Sequence, residues 1–77
     1  MNNERRRRIE KIMEKIDGIK VELEEVRDDE QQAFDNLPEG LQLSERGENM
    51  ENGLSLMEEC IENLDSVAGT LEEVILP

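Results

Sequence analysis

The chain reads as an all-α protein, an antiparallel helical hairpin that oligomerises into a four-helix or larger bundle. Three observations predict it. Apolar residues recur at alternating steps of three and four over two long stretches. The first carries Ile9, Ile12, Ile16, Ile19, Leu23, Val26, Ala33 and Leu37, and the second Met50, Leu54, Met57, Ile61, Leu64, Ala68, Leu71 and Ile75. That spacing is the seam of helices packed side by side. Between the stretches lies Leu37-Pro38-Glu39-Gly40, whose proline and glycine are turn punctuation. The stretches also match in length, on the order of 45 Å each at 1.5 Å per residue. A short turn between equal helices makes them antiparallel.

Residues 1–77 form one domain in this reading. Helix 1 covers about 4–36, starting at Asn2 or Asn3, either of which can cap it. It stops before Pro38, because the residue ahead of a proline is biased away from helical angles. Glu30 interrupts its stripe at a seam position. The connector covers 37–44, and its three leucines, Leu37, Leu41 and Leu43, either cap the helix pair or touch a neighbouring subunit. Ser44 is a good N-cap, with Glu45 placed where the helix dipole favours negative charge. Helix 2 covers about 45–75. Its glycines, Gly47, Gly53 and Gly69, are either tolerated weak points or positions of close helix approach. A second stripe of Leu56, Cys60, Val67 and Val74 widens the buried face beyond that of a simple two-stranded coil.

Size argues for self-association. A core of this length supplies roughly 3–5 kcal/mol, and small scaffolds add disulfides, metals or further copies. One cysteine cannot bridge internally, no histidine is present to share a metal, and Phe34 is the single aromatic. A homodimer is the expected oligomer. Cys60, with Glu58, Glu59 and Glu62 around it, is expected to be a packed structural thiol.

Charge narrows the function. The net charge of −12 disfavours nucleic acid and anionic lipid as partners. No apolar run reaches the ~20 residues that span a bilayer, and the charged start lacks a signal peptide's apolar stretch. A lone thiol fits a reducing cytoplasm. The expectation is therefore no membrane contact and a cytoplasmic location. Catalysis finds no support either. No nucleophile stands with a recognisable base, and no glycine-rich phosphate loop follows a strand. The expectation is a non-enzyme with no cofactor and no metal.

Three candidate binding features remain. Arg5, Arg6, Arg7 and Arg8 lie in a segment, residues 1–20, with seven basic and four acidic groups; residues 21–77 carry two basic and seventeen. The arginines either pair with Glu72, Glu73 and the terminal carboxylate, or converge between subunits as a pocket for a phosphate-bearing ligand. Glu22, Glu24, Glu25, Asp28, Asp29 and Glu30 suggest an acidic face that is solvated or binds a protein. Phe34, Asp35, Asn36 and Arg46 bracket the hairpin tip. Their polar groups either do turn chemistry or form a recognition loop, with Leu37 and Leu41 beneath.

The run Gln32-Ala33-Phe34-Asp35-Asn36-Leu37-Pro38-Glu39-Gly40-Leu41-Gln42, continuing through Ser44-Glu45-Arg46-Gly47 to Met50, resembles small acidic helical proteins of unassigned function from bacteriophages, prophages and mobile elements of gut bacteria. With the flanking heptads the resemblance covers nearly the whole chain. It implies a setting, the host bacterial cytoplasm, and a mode of action by binding. In that setting the chain binds a host protein through its acidic face or hairpin tip. The alternative is sequestration of a nucleotide signal by arginine clusters at subunit interfaces.

Overall fold

The computed structural model of the chain describes residues 1–76. It contains α1 (Asn3–Asp35), α2 (Glu39–Gln42) and α3 (Glu45–Ile75), with no strand among the described residues. α1 and α3 lie side by side in a rod of 58 × 15 × 12 Å. Ion pairs Lys20–Asp65 at 2.6 Å and Arg27–Glu58 at 2.7 Å tie them, and rising numbers on α1 meet falling numbers on α3. The hairpin is antiparallel.

α1 and α3 each begin where a side chain can satisfy a free amide of the first turn. The Asn2 side chain accepts from the Arg5 backbone N–H at 2.9 Å, with Asn2 itself in extended backbone. Ser44 does the same for α3, accepting from Gly47 N–H, while its hydroxyl donates to Leu41 C=O. At the other end of α1, the Asn36 N–H returns to Gln32 C=O and the Leu37 N–H to Phe34 C=O, both at 3.0 Å.

The connector expected at 37–44 holds the single helical turn α2 rather than an open loop. Pro38 sits just before α2 with φ −55°, and its C=O accepts from Leu41 and Gln42 N–H. A proline needs no amide partner at that position, which is why it starts a turn of helix here instead of only breaking one. Gln42 then reaches back: its Nε2 donates to both Phe34 C=O and Leu37 C=O at 3.1 Å. Both carbonyls lie in the last turn of α1 or just past it, so one side chain closes the corner.

Gly47 is one of the two buried residues among those described, the other being Ile61. A Cβ on Gly47 would lie 2.0 Å from Gln42 O and 2.7 Å from Leu41 O. The close-approach reading therefore holds at Gly47, where α3 starts against the carbonyls of α2. It fails at Gly53 and Gly69, where a Cβ would meet open space.

The seam of α3 is the one its periodicity predicts. Met50, Leu54, Met57, Leu64, Ala68, Leu71 and Ile75 are half-buried around buried Ile61. The seam of α1 is not. Ile9, Ile16, Leu23 and Leu37 turn toward α3, but their companions are Met13, Lys20, Arg27, Glu30 and Phe34. Ile12, Ile19, Val26 and Ala33, expected in the seam, are exposed. α1 is rolled so that Lys20 and Arg27 meet the carboxylates of α3 and Phe34 lies under Gln42. The residues left out form a second column, one position away from the seam.

Candidate functional site

Two flanks border the α1–α3 seam, and they differ in chemistry. In an antiparallel pair, the column one residue before Lys20 and Arg27 on α1 shares a side with the column one residue before Leu54 and Ile61 on α3. On α1 this column is Ile12, Ile19, Val26 and Ala33; on α3 it is Gly53, Cys60, Val67 and Val74. The register set by the ion pairs brings Ile12 level with Val74, Ile19 with Val67, and Val26 with Cys60. These side chains are open to solvent, with Ile19 53% and Val67 48% exposed. Four shallow depressions open on this same side. They centre on Ile9 and Ile12, on Leu23 and Val26, on Val67 and Leu71, and on Glu30 and Arg46 beside the connector.

The opposite flank is acidic. It carries Glu10, Asp17 and Glu24 on α1 and Glu51, Glu58, Asp65 and Glu72 on α3. The surroundings of Lys20 show that both rows share one side. Its bond to Asp65 holds the ammonium above the ordinary lysine range; burial opposes this, and the fields of Asp65, Glu24 and Asp17 add to the rise. Arg27 is likewise raised, first by its bond to Glu58 and then by Asp28. These two cations neutralise part of a row that would otherwise repel itself.

The expected acidic face splits up on this frame. Glu24 belongs to the acidic flank, Glu30 is half-buried in the seam, and Glu25 and Asp28 point outward. Glu22 and Asp29 lie beside the apolar flank. Six acids at these positions cannot share one face, because successive helical residues turn by about 100°. The acidic surface comes from pairing two helices, which a single-helix inventory misses; the carboxylates of α3 are its larger part.

The arginine cluster does not pair as the sequence suggests. Among the described residues the ion pairs are Lys20–Asp65, Arg27–Asp28 and Arg27–Glu58, so Arg5–Arg8 do not bond Glu72 or Glu73. The terminal carboxylate belongs to Pro77, outside the described residues. Arg6 is half-buried at the open end of the seam, with its Nε unpartnered, while Arg5, Arg7 and Arg8 are exposed. At the tip, Phe34 lies half-buried in the seam, Asp35 accepts from Gln31 at 2.9 Å, and Asn36 ends α1. Arg46 is exposed and forms no ion pair with Glu39 or Glu45. Arg46 and the Arg5–Arg8 cluster occupy opposite ends of one hairpin.

Leu37 is half-buried and caps the helix pair, whereas Leu43 is 77% exposed. Cys60, expected to be packed, is exposed on the apolar flank, because α1 places Val26 beside it and no third helix covers it. No helix of the described residues is long and apolar enough to cross a membrane, and among them no cluster of three metal-ligating side chains is found. No family model matches the chain, and no curated protein or solved structure matches it either.

Proposed function

We propose that the chain is a non-enzymatic oligomeric interaction protein: two hairpins join through their apolar flanks into a four-helix bundle, and the acidic flank, facing outward, binds a basic surface on a host protein. The observation that carries this reading is the division of the hairpin into an apolar and an acidic side. Half-exposed Ile12, Ile19, Val26, Val67 and Val74 on one contiguous side favour burial against another apolar surface. Seven carboxylates on the other side favour water or cations. One side assembles and the other is presented.

The setting implied by the resemblance, a phage- or mobile-element protein in a bacterial cytoplasm, supplies the host protein as partner. Sequestration of a nucleotide signal gains less support. In one hairpin the arginines that reading needs stand at opposite ends, and neither group surrounds an enclosed cavity.

The test reads mass and partner recovery together. Light scattering is expected to give twice the chain mass for the wild type and the single-chain mass for an Ile19→Asp/Val67→Asp variant. A host protein recovered on the wild type is expected to be lost with Glu24→Lys/Glu51→Lys/Glu72→Lys, which leaves the apolar flank intact. Recovery that survives those reversals would refute the acidic flank as the binding side.

A further inference from the structure

The apolar flank does not itself say what covers it, but the charges along its edge do. On α1 the column bordering it is Arg8, Lys15, Glu22 and Asp29, each exposed and seven residues from the next. Two cations are followed by two anions. Lys15, Glu22 and Asp29 have no opposite charge three or four residues away on their own helix, and none of the four joins an ion pair among the described residues. The matching border on α3 is uncharged: Leu56, Asn63 and Thr70.

A column that runs plus, plus, minus, minus is complementary to itself when reversed. We infer that the occupant of the apolar flank is a second copy of this chain, docked with its α1 antiparallel on α1 about a two-fold axis crossing between Asp17 and Gly18. The inference rests on the self-assembly proposed above and specifies its geometry.

In this register Ile9 packs on the partner's Val26, Ile12 on the partner's Leu23, and Ile16 on the partner's Ile19, each contact occurring twice. Arg8 then faces the partner's Asp29, and Lys15 the partner's Glu22. Glu30, half-buried in the seam and joining no ion pair although Arg46 borders the same depression, lies opposite the partner's Arg5. By the register of the ion pairs the same axis passes α3 near Val67 and Ala68, where Val67 meets the partner's Ala68 between uncharged borders. Shifting α1 by one heptad opposes Glu22 to the partner's Glu22 and leaves Arg8 opposite the partner's Asn36. The other two-fold stacking sets α1 on the partner's α3, where the charged column meets only Leu56, Asn63 and Thr70. A single arrangement pairs every charge on the border. It also places the cationic ends of the two chains against each other's acidic middles.

Sedimentation equilibrium at low salt on wild type, Lys15→Glu, Glu22→Lys and the double swap tests this register. Each single reversal replaces two attractions across the dimer with two repulsions and is expected to weaken dimerisation by about tenfold or more, or roughly 1.4 kcal/mol. The double swap restores the pairs inverted and is expected to return affinity to within a few-fold of wild type. Circular dichroism checks that helix content is unchanged, since both positions are exposed. A second reading uses Lys15→Cys/Glu22→Cys in a Cys60→Ser background, which should oxidise to a covalent dimer. A dimer indifferent to both single reversals, and slow to crosslink, overturns the α1–α1 register while self-assembly stands. A wild type that stays a single chain at the highest concentration measured overturns the self-assembly itself.

Discussion

Replacing Gly47 with alanine separates a required glycine from tolerated ones. In an open helical position the change stabilises by about 1 kcal/mol, from helix propensity. At Gly47 the new methyl would stand 2.0 Å from Gln42 O, 2.5 Å from the Gln42 carbonyl carbon and 2.7 Å from Leu41 O. All three are backbone atoms, and Ser44 N–H holds Leu41 C=O at 3.2 Å, so no flexible side chain can yield. The connector must move by on the order of 1 Å to restore ordinary contact. Overpacking of this kind costs about 2 kcal/mol. Displacing Gln42 loses its two bonds to Phe34 and Leu37, at about 1 kcal/mol each. Against the gain of about 1, the net loss is about 3 kcal/mol. For a chain of this size that lowers Tm by on the order of 15 °C. The assay is thermal and urea unfolding by circular dichroism at one fixed protein concentration, since the proposed assembly would make Tm concentration-dependent. Gly18→Ala and Gly69→Ala are the controls: both sites are exposed with nothing within 4 Å, and each should raise Tm by a few degrees. If Gly47→Ala behaves like these controls, the packing described for the α2–α3 corner is wrong.

Gln42→Ala keeps the corner's shape but removes one donor from each of two carbonyls, Phe34 C=O retaining Leu37 N–H. It should cost about 2 kcal/mol in urea unfolding, without changing helix content in the native baseline. In alkali, Lys20 should leave a signature. Its folded pKa is raised, so its stabilising contribution is complete below the ordinary lysine value of 10.5 and is lost as pH rises through the raised value. Unfolding curves between about pH 9 and 12 should therefore fall more for wild type than for Lys20→Met; parallel curves would remove Lys20–Asp65 as a source of stability. Cys60 offers a native probe of the apolar flank. Maleimide should label it readily in dilute solution and progressively more slowly as concentration drives dimer formation. A rate independent of concentration in a sample that does dimerise would put the interface elsewhere.

How much of this was legible in the sequence differs between the helices. α3 carries one clear seam, and every residue from Met50 to Ile75 assigned to it by spacing is in it. α1 offers three adjacent columns sharing Ile9, Ile16 and Leu23, and periodicity selects the two most apolar. The structure instead uses the column with Met13, Lys20, Arg27 and Phe34. Nothing local to α1 reveals that choice, because Lys20 and Arg27 find Asp65 and Glu58 only after the hairpin has closed. The same long-range step hides the acidic flank, whose rows come from segments over thirty residues apart, as the spacing of Arg27 and Glu58 shows. Turn chemistry was half legible. Pro38 and Gly40 marked the corner, but that Glu39–Gln42 forms a helical turn tied to α1 by Gln42 reaching back was not legible.

The roll of α1 links folding to the proposed assembly. Turning α1 to bury Ile12, Ile19 and Val26 against α3 would make a more apolar seam. It would also carry Lys20 and Arg27 away from Asp65 and Glu58, leaving the two acidic rows to repel across the groove. Phe34 would leave the seam at the point where Gln42 bonds its carbonyl. A lone hairpin therefore spends its charged column internally and keeps its most apolar column outside. That arrangement is costly for a monomer, since each half-exposed isoleucine or valine forgoes about 1 kcal/mol of burial. It becomes favourable once a second apolar flank arrives, because the column left open is then the one best able to bury. The polar seam in α1 thus favours the proposed partner on the apolar flank, and the antisymmetric border of Arg8, Lys15, Glu22 and Asp29 is what would select a copy of the same chain for that place.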